Sequence, residues 1–187
     1  MELILASQSP RRRELLGLIT TEFSVCPAEI DERMEDNLPL EQQVADLSAR
    51  KAKAVAQAHP GAAVIGSDTI VVLDDVPLGK PKDEADARRM LSALSGRTHR
   101  VITGLALALP DGRVVQDATV TRVRFATLSE GEIDGYIATK DPLDKAGAYG
   151  IQGLGARFIE GIEGDYYSVM GLPVRRLYEL LRETAII

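Results

Sequence analysis

The chain alternates between short apolar runs of strand length and longer stretches in which apolar residues recur with helical spacing. The strand-like runs cover residues 3–6, 21–25, 62–73, 101–109, 113–125 and 157–162. Helical spacing covers residues 10–17, 39–58, 83–94, 129–139 and 173–183. Turn-forming residues 74–75 predict a hairpin, and residues 164–167 predict a turn region. Strands alternating with helices, with hairpins late in the chain, predict an α/β fold with a mixed sheet.

The run at residues 113–125 changes its alternation part of the way along. Apolar positions 118 and 120 are followed by apolar positions 123 and 125, which shifts the pattern by one residue. This shift predicts a β-bulge near Arg122. Thr121, Arg122 and Arg124 are then interpreted as a solvated face.

The first run is followed by the start of a helix. Ser9 is a favourable N-cap, and Pro10 suits the first helical position because its missing N–H would have no partner within the helix. Arg11, Arg12 and Arg13 stand in the first turn, where positive charge opposes the helix dipole. Free backbone N–H groups and guanidinium groups at one helix N-terminus favour a bound anion such as phosphate. The alternative is an ordinary capped helix with solvated arginines.

A lysine interrupts the apolar stripe of the second predicted helix. The stripe comprises Leu40, Val44, Leu47, Ala54 and Val55. Lys51 falls within it, whereas Arg50 and Lys53 lie to either side and can remain solvated. A buried ammonium is costly unless the side chain reaches solvent or meets an anion, and both alternatives stay open.

Asp68 lies between two apolar segments of the run at residues 62–73. A carboxylate at that depth is costly unless it is hydrogen-bonded, paired or bound to a metal. The alternative is that residues 66–69 form a bulge or turn in which Asp68 caps backbone N–H groups. Lys80, between Gly79 and Pro81, places a further cation in a conformationally restricted loop.

Residues 141–155 read DPLDKAGAYGIQGLG and are rich in glycine. Lys145, Tyr149 and Gln152 are interleaved with the glycines, a composition that differs from that of a flexible linker. The pattern favours close approach of the backbone to a flat ligand. For Gln152, the alternative is a loop amide that satisfies backbone groups.

The composition limits the classes of function. A net charge of −6 over 187 residues argues against a nucleic-acid polymer as partner. The single cysteine, Cys26, allows no internal disulfide and fits a reducing cytoplasmic setting. We expect no signal peptide and no membrane span, because no apolar stretch approaches the roughly 20 residues needed to cross a bilayer. With two histidines and one cysteine, a zinc site is disfavoured, and any metal would be Mg²⁺ or Mn²⁺ bound by carboxylates.

Separate segments therefore supply four anion-seeking groups and two unusual carboxylates. The cations are Arg11, Arg12, Lys51 and Lys80, and the carboxylates are Glu32 and Asp68. If they converge, the site would bind a polyphosphate with one or two divalent cations. The sequence contains neither a P-loop motif nor a serine hydrolase elbow. Hydrolysis of a nucleotide anhydride fits this set of side chains best.

Several ordered motifs resemble the Maf family of nucleoside triphosphate pyrophosphatases. They are Ser7-Gln8-Ser9-Pro10-Arg11-Arg12, Gly66-Ser67-Asp68-Thr69, Gly79-Lys80-Pro81, Ser95-Gly96 with His99, residues 144–153 and residues 164–173. The resemblance covers the whole chain. It implies one domain over residues 1–187 with two α/β lobes around a central cleft, of the inosine-triphosphatase-like kind, and a homodimer. It also implies metal-dependent cleavage of a nucleoside triphosphate to the monophosphate and pyrophosphate.

The resemblance also implies roles for individual residues. Asp68 corresponds to the catalytic proton acceptor, and Glu32 to its companion in metal binding. Ser9, Arg11, Arg12, Lys51 and Lys80 correspond to other functional positions of the family. Arg11, Thr69 and Gln152 correspond to positions associated with substrate choice, and Lys145 is expected at the substrate.

The segment Ala148-Tyr149-Gly150-Ile151-Gln152 is similar to the branch of the family that acts on dTTP and UTP. The Gln152 amide carries one acceptor and two donors, so it can pair with N3–H and a carbonyl of uracil or thymine. Two alternatives are a pyrophosphatase that prefers 7-methyl-GTP and a nucleotide-binding regulator of cell division and septum formation.

Overall fold

A computed structural model describes residues 1–35 and 37–187 of the chain. Within these residues it forms seven strands and six α-helices. The strands are β1 (Leu3–Leu5), β2 (Ser24–Val25), β3 (Ala63–Leu73), β4 (Val76–Leu78), β5 (Thr98–Ala108), β6 (Val114–Phe125) and β7 (Ile159–Glu163). The helices are α1 (Pro10–Leu16), α2 (Leu40–Ala58), α3 (Glu84–Leu94), α4 (Glu130–Ala138), α5 (Tyr166–Met170) and α6 (Val174–Glu183).

The seven strands form one mixed sheet in the order β2-β1-β3-β5-β6-β7, with β4 also paired to β3. Strand β1 is parallel to both of its neighbours, with Ile4 opposite Ser24 on one side and Val64 on the other. The pairs β3–β4 and β6–β7 are antiparallel. The predicted α/β class with a mixed sheet is confirmed.

The chain divides into two compact units. The first comprises Met1–Thr69, Thr103–Thr119 and Gly171–Ile187. A cluster of its buried side chains comes from β1, α2, β3, β5 and the residues that adjoin β1 and β3: Ile4, Ala6, Ala49, Ala52, Val55, Ala62, Val64, Ala106 and Ala108. Small residues dominate this cluster, which allows α2 to lie close to the strands.

The second unit comprises Ile70–Ile102 and Val120–Met170. Its core is larger in side-chain volume and includes Leu91, Leu94, Phe125, Tyr136 and Phe158, all fully buried. The predicted hairpin after β3 is present. Asp74 and Asp75 occupy its turn with φ of 50° and 61°, the left-handed conformation that a two-residue hairpin loop requires.

Two expectations for strand β6 are wrong: the position of the bulge and the exposure of Thr121. Thr121 is fully buried and Val120 is 38% exposed, so the inward side chains are 121, 123 and 125 in regular alternation. The predicted bulge near Arg122 is therefore wrong, and the register shift lies between Arg124 and Phe125. Thr121 is also not solvated, because its hydroxyl accepts a hydrogen bond from the Asp165 amide at 3.1 Å. This partner lets a polar side chain occupy an inward position.

Residues 164–167 form more than the predicted turn. Helix α5 begins at Tyr166, and the Asp165 carboxylate caps it by accepting hydrogen bonds from the amides of Tyr167 at 3.0 Å and Ser168 at 3.2 Å. Two strand boundaries also differ from the prediction, because β2 covers only Ser24–Val25 and β5 begins three residues early, at Thr98.

The predicted strand at residues 157–162 begins later than expected. A 3-10 helix, Leu154–Phe158, precedes β7. No helix in the described part of the chain combines the length and the apolar character that a bilayer crossing requires.

Candidate active site

The start of α1 is built as its sequence predicts. Ser9 is the N-cap, with its hydroxyl accepting a hydrogen bond from the Arg12 amide at 3.4 Å, and Pro10 is the first helical residue. Ser7, two residues beyond β1, accepts a further bond from the Ser9 amide at 3.1 Å through its hydroxyl. The turn between β1 and α1 is thereby fixed by two serine hydroxyls, and the following arginines are held at a defined place.

The Arg12 side chain joins three segments of the first unit. Its Nε donates to the Gly171 carbonyl at 2.7 Å, and its terminal nitrogens donate to the hydroxyls of Thr69 at 3.1 Å and Ser7 at 3.4 Å. Burial lowers the pKa of Arg12, an effect that the negative charges of Asp68 and Glu32 oppose. Because a guanidinium carries five N–H groups, these three bonds leave donors that could reach an anion.

Gly171 is a second anchor of this region. Its carbonyl oxygen accepts from Arg12 and lies 3.1 Å from the Ser67 hydroxyl, which is itself 2.8 Å from the Gly104 carbonyl oxygen. The backbone φ of Gly171 is +124°, a conformation that L side chains rarely adopt. The turn before α6 therefore depends on glycine to present this carbonyl to Arg12.

Lys51 bridges the two carboxylates that the sequence singled out. Its Nζ lies 2.8 Å from Asp68 Oδ1 and 2.9 Å from Glu32 Oε1. The side chains of Lys51 and Asp68 are 9% and 17% exposed, whereas that of Glu32 is 60% exposed. The lysine in the apolar stripe therefore meets anions, and they are carboxylates of the same chain.

Two glycines bring α2 close enough to the sheet for this contact. A Cβ at Gly66 would stand 2.1 Å from the carbonyl oxygen of Ser48, and one at Gly104 would stand 2.4 Å from that of Val44. Strand β3 runs without interruption through residues 66–69, so the proposed bulge or turn there is absent. Since side chains alternate along a strand, Asp68 points to the same face as Gly66 and reaches Lys51.

The first unit thus brings together most of the predicted site residues. They are Ser9, Arg12, Glu32, Lys51, Asp68 and Thr69. Arg11 is half-buried beside them, and its positive charge contributes to the lowered pKa of Arg12. The Thr69 hydroxyl, 3.0 Å from that of Thr103, accepts from Arg12 and lies one residue beyond Asp68.

The other predicted residues belong to the second unit. Lys80 is exposed in the loop after β4, and Gln152 is exposed in the glycine-rich segment. Lys145 Nζ donates to the Asp141 carbonyl at 2.7 Å, to Asp141 Oδ1 at 3.0 Å and to Asp144 Oδ1 at 2.8 Å. All three ammonium donors of Lys145 therefore have partners within the unit.

Tyr149 differs from the expectation for the glycine-rich segment. It is 5% exposed and packs edge-on against His99 and Phe125, with ring centroids 5.3 and 4.7 Å away. The ring therefore contributes to the core. A tyrosine between glycines is a signal for a ligand or for packing, and only the fold distinguishes them.

Sequence reasoning assigned no site role to several groups that hold the site. Ser67, Thr103 and Gly171 form the hydrogen-bond network around Arg12 and Thr69. Arg50, interpreted as a solvated cation, donates to two carbonyl groups of the segment that carries Glu32. Their roles have little signal in the sequence, because most of these side chains bond to backbone carbonyl oxygens, which every residue carries.

The carboxylates have the chemistry that a hard divalent cation prefers. Within residues 1–35 and 37–187, no three His, Cys, Asp or Glu side chains form a metal-binding group. Glu32 and Asp68 nevertheless converge on a single ammonium nitrogen. Mg²⁺ is usually bound by one or two carboxylates together with substrate phosphates, so this pair fits such an ion.

Comparison with known proteins identifies relatives over nearly the full chain. Residues 2–184 match the family model described as Maf-like protein. A dTTP/UTP pyrophosphatase of Bacillus cytotoxicus is 51% identical over 180 residues, which cover 96% of this chain and 94% of the relative. Those of Clostridioides difficile and Pyrococcus abyssi are each 48% identical, covering 98% and 96% of this chain and 95% of each relative.

Solved structures support the fold. The HAM1 protein of Coxiella burnetii aligns with a TM-score of 0.59 at 18% identity, covering 98% of this chain and 99% of that one. The Ham1 protein of Staphylococcus aureus aligns with a TM-score of 0.55 at 15% identity, covering 98% and 100%. At these identities the likeness is one of architecture.

Proposed function

Because this chain belongs to the Maf family, we propose that it hydrolyses dTTP and UTP to the nucleoside monophosphate and pyrophosphate. The observation that carries this proposal is the junction of Lys51 with Asp68 and Glu32, in the same unit as the arginines of α1. Relatives at about half identity over nearly the full chain carry the name dTTP/UTP pyrophosphatase.

In the proposed reaction, water attacks the α-phosphorus and its proton passes to the Asp68 carboxylate. The bond from the α-phosphorus to the bridging oxygen breaks, and pyrophosphate leaves with the electron pair. Lys51 holds one Asp68 oxygen at 2.8 Å, which orients the carboxylate and leaves the second oxygen to accept the proton. The low exposure of both side chains strengthens this interaction relative to one in water.

Cationic groups supply the affinity for the triphosphate. The free donors of Arg12, the Arg11 guanidinium and the amide end of α1 would bind phosphate oxygens, with Ser9 fixing the helix start. Lys80 and Lys145 are proposed to act as further point charges on the phosphates. For Lys145 this requires release from Asp141 or Asp144, which now satisfy its donors.

Glu32 and Asp68 would hold Mg²⁺ or Mn²⁺. When bound, such an ion supplies positive charge to the phosphate oxygens and lowers the pKa of a bound water. The exposure of Glu32 leaves its second oxygen accessible to an ion that arrives with the nucleotide.

Gln152 is proposed to select the base. Its side chain is exposed, so its amide can pair with N3–H and a carbonyl of uracil or thymine. Arg11 and Thr69 are the further positions proposed to influence substrate choice. Discrimination would arise because an amide oriented to accept from N3–H meets, in cytosine, a ring N3 that carries no hydrogen.

The test is pyrophosphate release from dTTP, UTP, CTP, GTP and 7-methyl-GTP in the presence of Mg²⁺. We expect turnover of dTTP and UTP well above the others. Asp68→Asn is expected to abolish turnover while thermal unfolding stays cooperative, whereas Asp134→Asn, an exposed carboxylate of α4, keeps it. Preference for 7-methyl-GTP would assign the chain to that branch. Tight dTTP binding with no product from wild type would favour the division regulator instead.

We further propose that the chain acts in the cytoplasm as a homodimer. Cys26, the one cysteine, is a free thiol, as a reducing compartment permits. Light scattering coupled to size-exclusion chromatography measures the assembly directly, with a mass of one 20.2 kDa chain contradicting the dimer.

A further inference from the structure

Arg50 lies on α2 immediately before Lys51 but points to the exposed flank of the helix. Its guanidinium donates two hydrogen bonds to main-chain carbonyl groups. Nη1 lies 2.9 Å from the oxygen of Asp31 and Nη2 lies 2.5 Å from the oxygen of Arg33. The two acceptors therefore belong to the residues on either side of Glu32.

This arrangement places Glu32 between two held peptide groups. Residues 31–35 form neither helix nor strand, and the Glu32 side chain is 60% exposed, so neither regular structure nor burial restrains it. Its carboxylate still reaches Lys51 Nζ at 2.9 Å. Because the planar guanidinium of Arg50 donates to the carbonyls on both sides of Glu32, it limits the rotation of the backbone that carries Glu32.

Contacts inside the segment do not attach it to the helix. The Asp31 carboxylate accepts from the amide of Arg33 at 3.0 Å and from its Nε at 2.9 Å. These bonds stabilise the local turn but connect the segment only to itself. The bonds from Arg50 connect it to α2, next to the lysine that Glu32 must reach.

We propose that Arg50 is a positioning residue, which holds Glu32 toward Lys51 and Asp68 through the carbonyls of Asp31 and Arg33. It acts through the backbone and needs no contact with the nucleotide. The effect of Arg50 on turnover rests on the proposed function. Its effect on the order of residues 31–35 does not. A lysine is expected to replace it poorly, because its single nitrogen would have to reach both carbonyls, whereas Arg50 places a separate nitrogen at each.

Limited trypsin digestion tests the order of the segment. Arg33 is a tryptic site with a 90% exposed side chain, and its own carbonyl, the one cleaved, is a group that Arg50 holds. Arg50→Ala and Arg50→Lys are expected to speed cleavage after Arg33 by about fivefold or more, because local opening controls proteolysis. Lys53→Ala, the loss of an exposed charge one turn along α2, is the control expected to match wild type.

A double-mutant cycle tests the link to Glu32. Arg50→Ala is expected to lower kcat/KM for dTTP about tenfold, since small losses of positioning are costly in catalysis. In a Glu32→Gln background the same change is expected to cause no further loss, because Arg50 then has no carboxylate to place. Circular dichroism melts test whether each variant is folded. If Arg50→Ala does not fold, Arg50→Lys takes its place in the cycle.

Unchanged cleavage after Arg33 would overturn the proposal, as would losses in kcat/KM that multiply in the double variant. Wild-type behaviour of Arg50→Lys in both measurements would assign the effect to charge alone and also overturn it. If wild-type protein hydrolyses none of the nucleotides, the proposed function fails, and the digestion result still decides whether Arg50 orders the segment.

Discussion

Nε2 of His99 lies 2.6 Å from the hydroxyl of Tyr149, inside the core of the second unit. The other ring nitrogen of His99, Nδ1, is buried with no hydrogen-bond partner among the described residues. Burial lowers the pKa of His99 to about 4 and raises that of Tyr149 above its ordinary range. The folded protein therefore holds a neutral imidazole against a neutral phenol.

His99 makes stability depend on pH in a defined window. Above pH 6.5 the histidine is neutral in both states and has no effect. Below 6.5 the unfolded chain binds a proton that the folded protein resists until about pH 4, so stability falls as pH falls. The pKa of His99 is about 2.5 lower in the folded protein than in the unfolded chain, which corresponds to about 3 kcal/mol in the free energy of unfolding.

Denaturant unfolding between pH 7 and pH 4 checks this prediction. In His99→Gln, the free energy of unfolding is expected to fall by about 3 kcal/mol less between pH 7 and pH 4 than in wild type. This difference is independent of any stability that the substitution loses at pH 7. His59→Gln is the matched control, because it removes the other imidazole of the chain without touching the Tyr149 pair. Equal pH dependence in wild type and His99→Gln would contradict the prediction.

Removal of the Lys51 charge is expected to cost stability as well as turnover. Lys51→Met leaves the mostly buried Asp68 without its cation, which should lower the free energy of unfolding by about 2 kcal/mol. Asp68→Asn in the same chain should restore part of that loss, because the unpaired charge is gone. Lys53→Met, on the exposed side of α2, should stay within about 0.5 kcal/mol of wild type. A Lys51→Met loss no larger than the control would show that the ion pair adds nothing to folding.

Tyr136 supports the segment that carries Gln152. Its hydroxyl donates to Asp141 Oδ2 at 2.8 Å and accepts from the Gly150 amide at 3.2 Å. Tyr136→Phe removes the hydrogen bonds to Asp141 Oδ2 and from the Gly150 amide, so we expect a loss of about 1–2 kcal/mol in stability. We also expect a rise in KM for dTTP of about threefold with little change in kcat, measured by initial rates. Tyr178→Phe, on the exposed side of α6, is the control, and an equal KM in both variants would contradict the link to Gln152.

Local signals predicted most elements of the fold. Ser9 and Pro10 start α1, and the Ser129 capping box with Glu132 starts α4, because these side chains satisfy amides within their own helix turn. The errors occur where the deciding partner is distant in sequence. Thr121 was interpreted as solvated because its partner, Asp165, is 44 residues away.

The site residues show the same contrast between local signals and partners that are distant in sequence. Asp68 and Lys51 could be recognised individually, since a charged residue in an apolar run requires a partner. Their pairing could not be derived, because it depends on α2 crossing β3 at a particular residue. The support from Arg50 was also hidden, since it binds carbonyl groups, which every residue possesses.

Gly66 is the position at which the close packing of α2 against β3 can be tested. A methyl group there would stand 2.1 Å from the Ser48 carbonyl oxygen and 2.9 Å from the Ala52 amide nitrogen, and both are backbone atoms of α2. Gly66→Ala must therefore displace the helix, and with it Lys51 from Asp68.

We expect Gly66→Ala to lower the free energy of unfolding by about 3 kcal/mol and to reduce turnover sharply. Gly131→Ala is the matched control, because that glycine is an exposed position of α4 with nothing within 4 Å of the new carbon. There alanine should raise stability by about 0.5–1 kcal/mol. Thermal and denaturant melts of the two variants should therefore shift in opposite directions. A Gly66→Ala protein with wild-type stability and turnover would mean that α2 does not depend on glycine to bring Lys51 to Asp68.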